Sequence, residues 1–520
     1  MHLFKKNRTM KNTIKWLTLS VLIISISCTD LEIEQTDSNF DESLSGEFGG
    51  VDPAASLDGL YSDLRTQIQT QEGLYALNEV SSDELLVPTR GTDWGDNGVW
   101  RNLHDHNWDA LHRDVKNTWN SFNQNVYRAT LIIDPRSEST PQQVAEAKFL
   151  RGFSTFWIAD LYGQAPFRTP DEGPDVNPSV KTRAEAIDFA LQDLTDALPD
   201  LPSSGPSGSL NRATKAAANH LLSKIYLNKH TYLGTTADPA DMTRVVEYVD
   251  AIKADGFALA SGYFDIFEND VDSETILFTT SEVGPRIWNT LHYKQNSPDN
   301  EGGGWNGFTT LSEFYDTFEG DPNINVPGSG QEERRGFVPT DGSNLGIGYG
   351  FLIGQQYDQT GAAMTDRVGN QLDFTRELPG LLGNSEVTGI RLIKYHPENG
   401  GFTGHQILLR YADAHLMKAE AILRGGTSSE TALGLVNELR AMRNANGNTT
   451  PLSAVTEEDM LDERGRELYG EFWRRNDLIR FGKFSDAWQY KSNTDVTRVL
   501  FPIPATAIIS NPNLVQNEGY

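Results

Sequence analysis

Residues 142–163 read QQVAEAKFLRGFSTFWIADLYG, and their apolar side chains recur every three or four positions. This spacing is typical of an α-helix with one broad apolar face, made by Ala145, Phe149, Phe153, Phe156, Trp157 and Leu161. Gly163 follows directly, and glycine is a common residue at the C-terminal end of a helix. The segment therefore predicts a long helix over residues 142–162.

Other stretches on both sides of this segment have the same helical spacing. They cover residues 54–69, 119–133, 184–198, 213–227, 242–257, 407–423, 430–445 and about 457–473. Loops rich in glycine, proline and serine, such as residues 202–208, separate helices into pairs. Paired helices with small residues at their crossings are typical of tetratricopeptide-like units. We therefore predict a mainly α fold with a scaffold of tetratricopeptide-like helical pairs.

The middle of the chain, about residues 259–404, has a different composition. It is rich in glycine, asparagine, threonine and aromatic residues, and few helical patterns continue through it. Long irregular segments on a rigid scaffold are where binding residues usually lie. We therefore predict one domain over residues 51–520. Its helical scaffold covers about residues 51–258 and 405–490, and the loop-rich region between them carries short strands and the ligand site.

The N-terminus has the features of a signal peptide. Five cations precede an uncharged apolar run, residues 16–26, which is too short for a permanent membrane span. The junction Ser25-Ile26-Ser27-Cys28 is similar to a bacterial lipobox, and several acyl chains on one residue hold a protein firmly at a membrane. We predict a signal peptide over residues 1–27 and a lipid on Cys28, the only cysteine in the chain. The alternative is an ordinary signal peptide in which Cys28 has no special role.

The charge of the chain restricts its partners. Residues 28–50 are polar and acidic, so we predict an extended tether there. The whole chain carries a net charge of −28, and removal of residues 1–27 takes away cations only. Such a surface repels nucleic acid, which proteins bind through phosphate neutralisation. It also disfavours polyanionic ligands, so a neutral ligand is the simpler expectation.

Four motifs follow one another along the chain. They are AEAKFLRG with DLYGQAP (145–152, 160–166), LRYADA with AEA (409–414, 419–421), DERGREL with WRRNDLIR (462–468, 473–480), and FPIP with NPNLVQNEGY (501–504, 511–520). Together with the lipobox, this order resembles the SusD/RagB family. The resemblance implies four tetratricopeptide-like units, and it implies that the motifs mark the scaffold and not the ligand site.

The resemblance also implies a function. Members are lipid-anchored proteins on the surface of the outer membrane, which bind oligosaccharides or polysaccharides and deliver them to a SusC-like TonB-dependent transporter. We therefore expect a glycan-binding protein, with a neutral glycan such as a glucan as ligand. We expect no catalysis and no cofactor, and leave a structural calcium ion open. A RagB-like protein that binds peptides is the alternative, and a glycoside hydrolase is a third possibility.

A sugar-binding surface needs flat aromatic side chains for the C–H faces of the ring and polar groups for the hydroxyls. Two regions supply both. The loop of residues 88–101 offers Arg90, Asp93, Trp94, Asn97 and Trp100, and the middle region offers Trp288, Tyr293, Trp305 and Asn306. We predict that these residues form the glycan site. The pattern around Trp119, Trp157, Trp473 and Trp488 favours a structural role instead.

Enzyme and metal sites have weaker support in the sequence. No two of the many carboxylates stand out as a glycosidase pair. His104 and His106 lack a third ligand at a diagnostic spacing, so we interpret them as loop or surface residues with ordinary hydrogen bonds. The glycines of residues 346–350 lack the strand–turn–helix setting of a phosphate-binding loop.

Overall fold

The computed structural model describes residues 48–173, 175–207, 209–268, 272–280, 284–296, 302–321, 330–397, 405–444 and 448–520. The predicted signal peptide, the lipidation of Cys28 and the predicted tether up to residue 47 lie outside the described residues. The part from Phe48 to Tyr520 forms one compact unit.

In the described part of the chain, seven α-helices come before the loop-rich middle. They are α1 (Pro53–Gln69), α2 (Val99–His104), α3 (Arg113–Ile133), α4 (Pro141–Tyr162), α5 (Arg183–Ala197), α6 (Lys215–Leu233) and α7 (Pro239–Ala254). From α3 to α7, each helix packs against the next one in the chain. Side-chain oxygens of residues such as Thr140 and Thr182 cap the first turns by accepting backbone N–H groups. The predicted pairs are therefore present, with ends that differ by a few residues.

Helix α4 is the centre of this scaffold. From Ala145 to Tyr162, every residue except Lys148 is buried, so the helix is enclosed on all sides and not on one face only. A Cβ atom on Gly152 would lie 3.1 Å from Cγ of Leu194, which shows how closely α4 and α5 approach. Gly163 ends α4 in the left-handed conformation, as predicted.

The C-terminal helices are α10 (Tyr411–Leu423), α11 (Ala432–Met442), α12 (Glu457–Leu468), α13 (Arg474–Arg480) and α14 (Ala505–Ser510); two short helices, α8 (Gly284–Thr290) and α9 (Ser312–Tyr315), lie in the middle region. Two sequence-based boundaries were wrong here. Residues 407–410 belong to a strand because they pair with residues 275–278. The helix predicted over about residues 457–473 breaks after Leu468, because Gly470 and Phe472 adopt positive φ angles of 70° and 75°.

The strands are short and antiparallel. They are β1 (Leu85–Leu86), β2 (Gln164–Phe167), β3 (Ser179–Thr182), β4 (Thr275–Thr280), β5 (Thr309–Thr310), β6 (Gly336–Phe337), β7 (Tyr349–Leu352), β8 (Gly354–Gln355), β9 (Asp373–Phe374), β10 (Arg391–Ile393) and β11 (His405–Arg410). β10, β7 and β6 form a three-stranded sheet, and the others pair as β1–β5, β2–β3, β4–β11 and β8–β9. Most of these strands lie in the middle region, where they hold long loops on the helical scaffold.

The main hydrophobic core joins most of the helices to the middle region, since buried residues from α1 to the C-terminal segment cluster with those of β7 and β10. A smaller cluster packs α11 against α10 and Met460. Within the described ranges, no helix combines the length and the apolar character that a membrane span requires.

Candidate functional site

Trp94 connects the two regions in which the sequence places the site. Its indole Nε1 donates a hydrogen bond of 2.8 Å to the carbonyl oxygen of Trp305. Its ring packs edge-on against Trp100 and Phe308, with centroids 5.9 and 5.8 Å apart. A Cβ atom on Gly307 would lie 2.3 Å from the Trp94 ring, so only glycine fits there. The loop of residues 88–101 and the segment of residues 303–308 therefore hold each other in place.

Trp305 points away from the protein. Its side chain is 56% exposed, while Trp94 is only partly exposed. The neighbouring glycines explain this position: a Cβ atom on Gly303 would lie 2.1 Å from the carbonyl oxygen of Tyr293, and one on Gly304 would lie 1.9 Å from that of Leu291. Because the glycines let the segment lie flat on residues 288–293, the indole of Trp305 is presented to solvent.

Polar groups surround Tyr293 beside this segment. The Tyr293 hydroxyl donates to a carboxylate oxygen of Asp93, and the guanidinium of Arg367 covers the Tyr293 ring, 3.7 Å from its centroid. Arg367 also pairs with Glu386, which accepts a second contact of 3.1 Å from His292 Nε2. We call Asp93, Tyr293, Trp305, Arg367 and Glu386 together the Trp305 face.

Tyr293, Glu386 and the neighbouring His292 each keep one protonation state around neutral pH. Burial raises the pKa of Tyr293 to about 12, so its hydroxyl remains a donor. Burial lowers the pKa of His292 to about 4, so the imidazole is neutral. Burial also acts to raise the pKa of Glu386, but hydrogen bonds from the backbone and side chain of Arg367 leave it below its usual value. Glu386 is therefore an ionised acceptor.

Arg367 and Glu386 were not predicted from the sequence. Arg367 lies in a turn that Asp366 stabilises, since its Oδ1 accepts N–H groups of Val368 at 3.0 Å and Asn370 at 2.8 Å. The asparagine, aspartate and glycine of this segment indicate a turn. However, no local pattern shows that the turn packs on Tyr293, far away in the chain.

Two of the predicted tryptophans are interior. Trp100 is 1% exposed, and its Nε1 donates to Asp96 Oδ2 at 2.8 Å. Trp288 is 4% exposed, and its carbonyl oxygen accepts the N–H of Trp305. A ligand on the surface does not reach either ring in this conformation. Both residues support the segments that carry Trp94 and Trp305.

Two of the predicted polar residues are interior as well. Arg90 donates to the carbonyl oxygens of Ser385 and Thr388, and its side chain is buried. Asn306 is also buried, and its Oδ1 accepts from Arg391 at 2.7 and 2.9 Å. They join the segments behind the Trp305 face.

The remaining predicted residues, Asp93 and Asn97, are accessible. The Asp93 side chain is 42% exposed, and Asn97 is exposed in a left-handed conformation with φ 52°. Trp94, Tyr293, Trp305 and Asp93 thus come together at one surface. Asn97 lies on the same loop as Trp94.

A cleft of about 590 Å³ adjoins the Trp305 face. Tyr293 and Lys294 form one side of it, and Tyr357, Gln359, Thr360 and Met364 contribute to the other. Its lining offers amide, hydroxyl and aromatic groups. Such a mixture suits a polar ligand with flat apolar faces.

His104 and His106 are core residues and not surface residues, which corrects the interpretation above. A ring nitrogen of His104 lies 3.0 Å from the carbonyl oxygen of Gln489, and one of His106 lies 2.8 Å from that of Ser81. In the part of the chain that the structure describes, no group of three or more His, Cys, Asp or Glu residues could hold a metal ion.

Two family models match the chain. The one described as the SusD family covers residues 379–520, and the one described as starch-binding, associating with the outer membrane, covers residues 51–227. The chain belongs to the SusD-like family. This SusD-like chain is 26% identical to the starch-binding protein SusD of Bacteroides thetaiotaomicron, over 99% of this chain and 100% of that protein. It is 25% identical to the SusD-like protein P38 of Formosa agariphila, over 98% and 99%.

Solved structures show the same fold. A SusD-like protein from Bacteroides fragilis matches with a TM-score of 0.69 and 20% identity, over 90% of this chain and 96% of that one. The surface glycan-binding protein A of Bacteroides thetaiotaomicron, in complex with laminarihexaose, matches with a TM-score of 0.67 and 18% identity, over 89% and 98%. The predicted mainly α, tetratricopeptide-like fold of the SusD-like family is therefore confirmed.

Proposed function

We propose that this chain binds glycan chains at the Trp305 face and delivers them to a SusC-like TonB-dependent transporter, while a lipid on Cys28 holds it at the outer membrane. The observation that carries the proposal is the exposed indole of Trp305. Among the described tryptophans it is the only one that is more than half exposed. A solvent-facing indole gives a flat apolar surface, and its desolvation by the C–H face of a sugar ring is favourable.

The groups around Trp305 support this ligand class. The Asp93 and Glu386 carboxylates accept hydrogen bonds, and Arg367 and Lys294 donate them, so sugar hydroxyls would find both kinds of partner. Arg367 is already paired with Glu386 and lies 3.8 Å from Asp93. Because its charge is compensated, the face favours a neutral glycan over a polyanion.

The same contacts argue against hydrolysis. A glycosidase needs a carboxylic acid with a raised pKa that protonates the leaving oxygen. The pKa of Glu386 is lowered by Arg367, so it stays ionised and would not act as that acid. The Asp93 carboxylate is engaged by the Tyr293 hydroxyl. Binding without catalysis fits this arrangement best.

The relatives support the same proposal. The curated relative in Bacteroides thetaiotaomicron is a starch-binding protein, and a solved structure with this fold is a laminarin-binding SusD-like protein, with 21% identity and a TM-score of 0.63. Both laminarin and starch are neutral glucans. A neutral glucan is therefore the ligand that we propose to test first.

The test is affinity electrophoresis of the purified chain in gels that contain starch, laminarin, xyloglucan or alginate, with a calorimetric titration of a mixed peptide digest beside it. We expect retardation by one of the neutral glycans and its loss in Trp305→Ala. Trp305→Phe, which keeps a flat ring, is the matched control and should retain part of the retardation. Binding of peptides and of none of the glycans would overturn the proposal in favour of the RagB-like alternative.

A further inference from the structure

The cleft of about 590 Å³ beside the Trp305 face is built by three separate segments of the middle region. Its lining comes from residues 293–296, 345–347 and 357–365. The volume lies within the range of about 300–1,000 Å³ that is usual for ligand sites. The cleft therefore has room for part of a ligand that extends beyond the group on Trp305.

The cleft and the Trp305 face are continuous. Tyr293 belongs to both, and its neighbour Lys294 also lines the cleft. The Lys294 ammonium donates to the hydroxyl of Thr365 at 3.3 Å. Thr365 lines the cleft as well, and Arg367, two residues later, covers the Tyr293 ring. Residues 293–294 and 365–367 thus join the two surfaces, so a linear ligand that crosses Tyr293 passes from one to the other.

Hydrogen bonds between amide groups fix the shape of the cleft before any ligand binds. Gln295 is buried, and its Nε2 donates to Gln356 Oε1 at 3.2 Å. The N–H of Met364 donates to the carbonyl oxygen of Gln356 at 2.9 Å. Asp358 Oδ1 accepts the N–H of Thr360 at 2.8 Å, which holds the turn at the end of the cleft segment. A preformed cleft loses little conformational entropy when it binds a ligand.

One residue of the lining has an unusual backbone conformation. Leu345 has a φ angle of 60°, between Asn344 at 50° and Gly346 at 75°, so three successive residues are left-handed. Leucine rarely adopts this conformation, whereas glycine and asparagine do so more readily. A Cβ atom on Gly346 would lie 2.4 Å from the carbonyl carbon of Asp358, so this turn packs tightly against the segment of residues 357–365. Backbone strain is concentrated at ligand sites, and here it holds an apolar side chain in the lining.

The charges of the cleft are balanced. Among the described residues that line it, the charged ones are Lys294 and Asp358. The hydroxyl and the N–H of Thr360 donate to Asp358 and hold the pKa of its carboxyl below the usual value. Tyr357 adds a ring and Gln359 an exposed amide. Because the lining has no excess charge and combines apolar with hydrogen-bonding groups, it suits a neutral ligand rich in hydroxyls.

We infer that the cleft holds further sugar residues of the glycan chain that rests on Trp305, so that this protein selects long glycan chains over short ones. The inference rests on the proposed function and narrows its ligand to an extended neutral glycan. Each additional sugar in contact adds binding free energy without a second loss of translational freedom. Affinity should therefore rise with chain length until the cleft is filled.

The first experiment measures this rise by calorimetry, with laminari-, malto- and xylogluco-oligosaccharides of increasing length and the mature chain that carries Cys28→Ser. In the series that binds, we expect the hexasaccharide to bind at least about tenfold more tightly than the disaccharide. The cleft variant, Tyr357→Ala with Gln359→Ala, should bind the disaccharide like its parent. It should reduce the advantage of the hexasaccharide to about threefold or less.

The matched control is Tyr127→Ala with Gln124→Ala on the scaffold helix α3. Tyr127 is partly exposed like Tyr357, and Gln124 is exposed like Gln359. This control should bind every oligosaccharide like its parent. Because a longer chain also binds in more registers, the difference between the two double variants is the decisive quantity. An equal gain of affinity with length in the cleft variant and its parent would overturn the inference.

The second experiment locates the sugar directly and does not depend on the folding of the cleft variant. The Cys28→Ser background has no cysteine, so Gln359→Cys and, separately, Gln124→Cys each give one site for a maleimide. Saturating hexasaccharide should slow the labelling at position 359 several-fold and leave the labelling at position 124 unchanged. Unhindered labelling at position 359 would contradict a sugar in the cleft.

Failure of the inference and failure of the proposed function give different results. If the parent binds the disaccharide and the hexasaccharide equally, and Trp305→Ala loses both, the proposed function stands and the inference falls. If the parent binds no oligosaccharide of the three series and no polysaccharide in the affinity gels, both fall. Binding of peptides in place of glycans has the same consequence for both.

Discussion

Charged residues are arranged in two opposite ways in this protein. At the C-terminal motifs, Glu274, Arg410, Arg443, Glu467 and Glu471 lie in the interior and bind one another; we call them the ion network. At the Trp305 face, Asp93, Arg367 and Glu386 also pair but remain accessible to water. The difference places the family motifs in the scaffold, while the surface that we propose for the ligand is made by loops.

The ion network extends beyond these five residues, since Lys394 also binds Glu471 and Arg334 lies 3.2 Å from Glu467. Arg410 Nη1 lies 3.1 Å from Glu274 and 2.7 Å from Glu467, and its Nε lies 2.6 Å from Glu471. Arg443 binds Glu274 and Glu467 again, at 2.6 and 2.9 Å. A buried charge without a partner is strongly destabilising, so each member depends on the others. The residue before β4, the end of β11, the residue after α11, α12 and the break after α12 are thereby held together.

The largest effect is expected when this network is opened. Arg410→Ala would remove the buried cation that Glu274, Glu467 and Glu471 share, and we expect a loss of about 3–5 kcal/mol in the free energy of unfolding. Chemical denaturation followed by circular dichroism measures it. Arg367→Ala removes an arginine at the surface and should cost at most about 1 kcal/mol. Equal losses in the two variants would contradict the comparison.

Acid should affect the two regions differently. Burial acts to raise the pKa of Glu467, but Arg443 and Arg410 lower it to about 2. Burial has the same effect on Glu420, where Arg480 lowers the pKa to about 2. A carboxylate with a lower pKa in the folded state stabilises the fold above its unfolded pKa, and this contribution is lost as the pH falls towards the folded pKa.

We therefore expect the melting temperature to fall steadily between about pH 4.5 and pH 2. Groups whose folded pKa is raised by burial, such as Glu79 at about 7, act in the opposite direction mainly between about pH 7 and 4.5, and they add little slope towards pH 2 because both states become protonated. Glycan binding should be constant from about pH 5.5 to 8.5, since Tyr293 and His292 titrate outside that range. A melting temperature that rises towards pH 2 would contradict the expected loss of stability in acid.

The sequence-based predictions are also more accurate for the helical scaffold than for the Trp305 face. The spacing in residues 142–162 sets α4, because helical periodicity is local. The motif around Arg410 identifies the family, yet residues 407–410 form a strand, because pairing with β4 depends on distant residues. The exposure of Trp305 agrees with its place among the predicted site residues, and the close contacts of Gly303 and Gly304 give the physical reason.

The residues of the candidate site were harder to predict from the sequence. Trp100 and Trp288 have the same local signal as Trp305, an aromatic ring in an irregular segment, but both are buried. Arg367 was missed because a turn residue gives no sign of the surface on which it packs. Whether a loop side chain faces solvent depends on which other loop covers it, and that is decided by contacts across hundreds of residues. The glycan site itself stays a prediction.

A smaller effect should follow from a change behind the Trp305 face. Gly304→Ala places a Cβ atom against the backbone of Leu291, so the segment must shift and Trp305 with it. We expect a stability loss of about 1–3 kcal/mol and roughly tenfold weaker glycan binding. Gly59→Ala, at a helical position with open space around its Cβ atom, is the control; it should leave glycan binding unchanged and raise stability by up to about 1 kcal/mol. Unchanged glycan affinity in Gly304→Ala would show that the position of Trp305 does not matter.

The smallest effect is expected at the edge of the face. Asp93→Asn keeps the size of the side chain but removes the charge that accepts the Tyr293 hydroxyl and lies 3.8 Å from Arg367. Since an exposed ion pair contributes at most about 1 kcal/mol, the melting temperature should hardly change. Calorimetry should show glycan affinity lower by a factor of about five or less, because one hydrogen bond to a charged acceptor becomes a weaker one to an amide. Affinity lost as completely as in Trp305→Ala would mean that Asp93, and not the indole, dominates binding.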